Sequence, residues 1–415
     1  MTDATDARLA DQYEAFPYPW RDPREETKRL IVGSPGHLRE VDYWVFSGRR
    51  PTSRPLHALI AGGGTGDATI MLAQQMARAG RAGSVTWLDR SAAALKVAIA
   101  RAKARGLGNI VWEQRSLLEL PGSGLGPFDY IDCCGVLHHL PDPAEGLRAL
   151  LSVLAPGGGL GLMVYAPHGR TGVYMLQEAL RLLAPPQATP SVRLDVVKRL
   201  MRHLPETAWL RQNRFIDDHL NGGDAGLYDL LLNPRDRAFT VRELHALLAG
   251  AGLAVTCWVE PARYDPIPLL PDPRLRAKVA ALAPIDRAAV AEALAGNISA
   301  HIVYCVRAGE QIERADFTAA DAVPVLREMS GPELANGIRP DGTITMVFDG
   351  LRVPVALPPL APPILQLIDG HRPLHVIAAT LVERGTSSAT FQRAWQDVFP
   401  ALERINRLLL AAPAV

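Results

Sequence analysis

Gly62, Gly64 and Gly66 stand in Gly-x-Gly-x-Gly spacing between an apolar run, Leu56 to Ala61, and a helix-forming stretch, Ala68 to Ala77. That pattern reads as a strand, a tight turn and a helix. The turn must bend sharply and let a ligand approach its backbone, which Cβ atoms would obstruct, so glycine fits there. The free N–H groups at the start of the helix then face whatever the turn holds. A second apolar run, Ser84 to Leu88, ends at Asp89, about twenty residues past the glycines, where an acid can accept hydrogen bonds from ribose hydroxyls. Together the two features point to a nucleotide-like ligand. His138 and His139 follow a further apolar run, Phe128 to Cys134. They are candidates for removing a proton from a nucleophile, or for shaping the loop by packing and hydrogen bonding. Tyr13, Tyr18, Tyr165, Asp217, Asp218 and His219 are further candidates, the last three also reading as a solvated helix end.

In these stretches the chain resembles the class I S-adenosylmethionine-dependent methyltransferases. Phe128 to Pro143 is similar to that family's fourth strand and the loop after it, and Leu154 to Gly159, followed by Leu160 to Tyr165, to its turn into strand five. The resemblance spans residues 40 to 307 and implies S-adenosylmethionine as cofactor. It assigns Gly62, Gly64, Thr65 and Gly66 to the methionine end, Asp89 and Arg90 to the ribose, Ser116 and Leu117 to the adenine, and Gly135 and Val136 to the methyl path. The catalytic candidates it leaves are His138, His139, Tyr13 and Tyr18. Two positions depart from the family: Ile60 stands where an acid is usual two residues before the first glycine, and Ser116 where an Asp usually meets the adenine amino group. The implied reaction is in-line displacement of a methyl group onto an O or N nucleophile of a protein, peptide or small-molecule acceptor, with no metal. Ile60 and Ser116 motivate the alternative, a regulatory protein that binds the cofactor without turnover.

The elements that must position these groups alternate. Residues 56–165 read as five strands separated by helices, hence a parallel, doubly wound sheet with ligands at the carboxyl ends of its strands. Phe239-Thr240-Val241-Arg242-Glu243 opens a helix with a capping box. Strands at Leu253–Val259 and Ala300–Val306 then complete a seven-stranded α/β, Rossmann-like sheet, with the last strand antiparallel by resemblance. The domains expected are an aromatic and proline-rich arm and helix at 1–50, the cofactor-binding domain at 51–165 and 238–307, a helical insertion at 166–237 that could cap the substrate, and a C-terminal unit at 308–415. The arm reads as packed on the domain or as a lid. A similar arm with a leading tyrosine occurs in bacterial methyltransferases, including outer-membrane-protein lysine methyltransferases. In the insertion, helices are expected at 172–183, 192–203 and 210–220. In the C-terminal unit a Phe348-Asp349-Gly350 hairpin turn and helices at 361–368, 374–384 and 390–410 suggest a small winged-helix-like α+β domain, weakly similar to peptide-recognition domains, that folds independently.

The 415 residues carry 44 Lys+Arg against 43 Asp+Glu, a net charge of +1, which offers no electrostatic case for nucleic acid or membrane surfaces. The four cysteines, at 133, 134, 257 and 305, fall in apolar runs without ligand spacing and read as buried packing. Met1 to Leu9 is polar, so no signal peptide is expected, and no apolar run is long enough to span a bilayer. A cytoplasmic enzyme follows as the expectation, with a homodimer possible.

Overall fold

The computed structural model describes residues 4–412; Met1–Asp3, part of the polar N-terminal reading, and Pro413–Val415 lie outside the described residues. Seven strands form one sheet: β1 (Leu56–Ala61), β2 (Gly83–Asp89), β3 (Ile110–Gln114), β4 (Phe128–Cys134), β5 (Leu154–Tyr165), β6 (Leu253–Trp258) and β7 (Ala300–Arg307). Their order is β3-β2-β1-β4-β5-β7-β6. The first five run parallel, and β7 is antiparallel to both β5 and β6, so the expected seven-stranded α/β fold is present. β1 reads Leu-His-Ala-Leu-Ile-Ala because both of its faces are covered, and only His57, at its start, is exposed.

The two faces are covered differently. On one, Leu59, Ile131, Leu160 and Leu162 pack against Leu147 and Leu150 and against Leu244 and Leu248, from the helices Pro143–Leu151 and Val241–Gly250. The second helix starts with the expected capping box of Thr240 and Glu243. On the other face a single apolar cluster runs from Ala58, Ile60, Tyr130 and Tyr304 of the sheet, through Val41 to Phe46, into Val325, Ile364, Trp395, Phe399 and Leu408.

Where the sequence suggests a C-terminal unit that folds on its own, residues 308–412 share an apolar cluster with the sheet. Polar groups tie the same seam. Glu40 is fully buried. It accepts from the Tyr304 hydroxyl at 2.7 Å and the Asn406 amide at 2.5 Å, and it pairs with Arg327. The expected hairpin exists as β9 (Thr343–Phe348) and β10 (Leu351–Ala356), and β8 (Val323–Leu326) precedes it. The last helix, however, stops at Glu403, and Leu408–Ala411 is a strand, β11, paired antiparallel with β8. Asn406 in a left-handed conformation (φ 57°) breaks the apolar run that reads as continuous helix.

The N-terminal segment also differs. A helix, α1 (Ala4–Ala15), leads into the proline-rich arm, and the helix expected within residues 26–48 is limited to Leu38–Glu40 and a π-turn at Val41–Val45. The arm is pinned by charge: Arg21 pairs with Asp67 at 2.6 Å, and buried Arg101 bridges Asp67 (2.7 Å) and Glu26 (2.6 Å). In the insertion, the helix expected at 210–220 is broken at Asn213–Asp217. A helix not anticipated, α2 (Gly223–Leu232), carries the buried face instead.

Candidate active site

A cleft of about 800 Å³ opens at the carboxyl ends of β1, β2, β4 and β5. β1 has β2 on one side and β4 on the other, so the chain leaves it in opposite directions and a crevice forms there. Its roof is α1, with the 215–229 part of the insertion.

The inner half is the glycine turn. Gly62 adopts φ 85°, and a Cβ there would lie 2.1 Å from Val136 Cγ2; one on Gly63 would lie 2.2 Å from Trp87 Cδ1. Gly62→Ala is accordingly expected to destabilise the fold by about 2–4 kcal/mol, from backbone strain plus overpacking. Denaturant titration checks this, and an unchanged midpoint would mean the turn relaxes freely. The Gly64 N–H donates to Asp89 Oδ2 at 2.8 Å and the Ser91 N–H to Oδ1 at 3.0 Å, so the carboxylate is fixed with lone pairs still free. Trp87 Nε1 donates to Gly64 O at 3.0 Å and holds the turn from beneath. Of the residues proposed from the sequence to hold the cofactor, Gly62, Gly64, Asp89, Arg90, Ser116, Leu117, Gly135 and Val136 line the cleft. Thr65 and Gly66 are not on its wall. The Thr65 hydroxyl donates to Pro19 O at 2.7 Å, and Gly66 begins the helix Asp67–Arg78 against Ala98. Ser116 Oγ caps a short 3₁₀ turn by accepting from Leu118 N–H at 3.2 Å, and it forms a capping box with Glu119.

The outer half is carboxylate and phenol. Asp229, on α2, is buried. Its Oδ1 accepts from the Tyr13 hydroxyl at 2.9 Å, Asn233 Nδ2 at 3.1 Å and Gln12 Nε2 at 3.3 Å, and its Oδ2 accepts from the Tyr165 hydroxyl at 3.2 Å. The Tyr18 hydroxyl donates to Asp218 at 3.2 Å. Burial raises all three phenols above the ordinary tyrosine range, with neighbouring Asp229 or Asp218 adding to it, and burial raises the Asp218 carboxyl. The tyrosines thus stay protonated and keep donating. Arg170 lies 3.6 Å over the Tyr165 ring, but its charge is met by fully buried Asp236 at 3.1 Å.

Residues 59–160 match the family model described as a methyltransferase domain. That segment is similar to a methyltransferase domain. An uncharacterized protein from Synechococcus is 30% identical over 280 residues, 64% of this chain and 63% of that protein. A ubiquinone biosynthesis O-methyltransferase from Caulobacter is 35% identical over 167 residues, 39% of this chain and 62% of that enzyme. The match thus spans less than two thirds of either relative's length. Among solved structures, PKMT2 from Rickettsia typhi in complex with AdoHcy superposes with a TM-score of 0.64 at 15% identity, over 91% of this chain and 75% of that one. The likeness supports the fold over most of the chain.

Within the matched segment the two histidines separate. His139 lines the cleft, and its Nδ1 lies 2.6 Å from Arg235 O, which fixes the ring. His138 is fully buried off the cleft wall. Its ring sits 4.0 Å from that of Tyr165, neither nitrogen has a hydrogen-bond partner, and burial pushes its pKa well down. This placement favours the packed, loop-shaping reading of His138 over the proton-removing one. Asp217 and Asp218 reach the cleft and His219 does not. Sequence reasoning missed Asp229. Its signal was a lone carboxylate in Leu227-Tyr228-Asp229-Leu230-Leu231-Leu232, since a charge inside an apolar helix must find donors. Among the described residues no helix is long and apolar enough to cross a membrane.

Proposed function

We propose that this chain transfers a methyl group from S-adenosylmethionine to the nitrogen of an amine acceptor. The family match and the inner half of the cleft support the cofactor: the glycine turn leaves room where side chains would stand, and Asp89 keeps free lone pairs beside it. Gly62 and Gly64 would hold the methionine end, Asp89 and Arg90 the ribose, and Ser116 and Leu117 the adenine. When bound, the cofactor supplies a methyl group on a positively charged sulfur that is open to in-line attack.

The observation that carries the amine reading is the buried Asp229 carboxylate, held by two phenols in the same cleft as Asp218. An alkyl ammonium is drawn to such a site by charge and by the tyrosine faces. It must lose a proton before its nitrogen can attack, and Asp229 Oδ2, with only one donor, is placed to accept it. α1 covers the reacting atoms and excludes water. These groups belong to residues 12–18 and 218–233, outside the 59–160 match, so the relatives' O-methyl acceptors bear on the cofactor half alone.

Incubation with methyl-labelled cofactor and size-fractionated extract, followed by acid hydrolysis, tests the reading. Label recovered as N-methyl groups is the expected result. O-methyl product would overturn the acceptor class, and cofactor binding without turnover on any fraction would favour the regulatory alternative. Asp89→Ala should weaken cofactor binding by about 1.5–3 kcal/mol, since the ribose hydroxyls lose a charged acceptor. Calorimetry reads it, and a change under about twofold would remove Asp89 from that role.

A further inference from the structure

Asp132 of β4 is fully buried, lines the cleft, and has no hydrogen-bond partner for Oδ1. Its Oδ2 accepts from the Tyr130 hydroxyl at 3.3 Å. Burial lifts its pKa to about 7 against the hydrogen bonds from the Tyr130 hydroxyl and the Cys134 N–H, and the Glu40 carboxylate adds to the rise. An unmatched buried carboxylate is costly, and it is retained where something arrives to match it. Space is kept for it: Gly36 packs so close that a Cβ there would come within 2.6 Å of Oδ2.

Its position says what could arrive. Asp132 is the direct partner of Ile60 in the parallel β1–β4 register, so both side chains leave the sheet on the same face and at the same level. Ile60 is the residue two before Gly62, where the family resemblance leads one to expect an acid. The missing carboxylate thus stands one strand over, beside the turn that would hold the cofactor's amino-acid end.

We propose that Asp132 binds the α-ammonium group of the cofactor and replaces the acid absent at position 60. The inference rests on the methyltransferase reading. A cation seated against Oδ1 satisfies the unpartnered oxygen and offsets the desolvation of the carboxylate.

The test compares S-adenosylhomocysteine with its deamino analogue, which keeps the thioether and carboxylate but lacks the amino group, by calorimetry on the full-length protein. Asp132→Asn preserves shape and the bond from Tyr130. It should weaken S-adenosylhomocysteine about 10–100-fold and the analogue less than about threefold. Equal losses for both ligands, or none, would overturn the assignment. Should the variant fail to fold, the wild-type protein decides alone: it must prefer S-adenosylhomocysteine over the analogue by at least about tenfold. Absence of any binding of S-adenosylhomocysteine to the wild type would overturn the cofactor reading itself, and this assignment with it.

Discussion

Asp229→Asn is expected to lower kcat for methyl transfer by about 10²–10⁴-fold, the usual contribution of a positioned base. The cofactor Kd should stay within about twofold, because Asp229 belongs to the outer half of the cleft and the turn and Asp89 to the inner half. Asparagine keeps an oxygen for the Tyr13 and Tyr165 hydroxyls but presents an NH₂ where a lone pair is needed. Single-turnover kinetics with preloaded cofactor, alongside calorimetry, separate the two effects. A variant with wild-type kcat would show that Asp229 only holds the roof in place. One that binds cofactor much more weakly would show that the halves are coupled.

Removing residues 309–415 is expected to abolish folding rather than leave a cofactor-binding core. The cut takes Asn406 and Arg327 away from Glu40 and leaves a fully buried carboxylate short of its charge partner, a loss worth about 3–5 kcal/mol by itself. It also uncovers Val41, Trp44, Val45 and Phe46, now 0–4% exposed, where each large apolar side chain buried contributes about 1.5–3 kcal/mol. Against a total stability of about 5–15 kcal/mol, that is more than the sheet can lose. Expression of the shortened chain, followed by near-UV dichroism and melting, decides it. A cooperative melt with cofactor binding intact would mean that the seam is dispensable.

What could be read in the sequence follows from how local its signals are. β1, the glycine turn, Asp89 and the Thr240 capping box each declare themselves within a few residues, and each lies where the pattern puts it. The sharing of the core was not legible, because Glu40 meets Asn406 across 366 positions and no periodicity records such a pairing. α1 was hidden by composition: its polar sequence reads as an arm, and only contact with the cleft makes one face useful. Leu408–Ala411 misled for the opposite reason, since a short apolar run fits a buried helix end and a buried strand equally well. Asp229 fell between these cases. Its anomaly was visible, but the donors that make sense of it come from residues 12, 13 and 165.

The composition of that donor set ties access to chemistry. Gln12 and Tyr13, two of the four groups bonded to the Asp229 carboxylate, ride on the roof. Lifting α1 to admit an acceptor or release a product therefore strips Asp229 of half its hydrogen bonds in the same stroke and hands those lone pairs to water. The base takes its working form only when the door is shut. A bulky group fused ahead of α1 that keeps the helix off the cleft would thus slow the transfer step without touching a residue of the cofactor half.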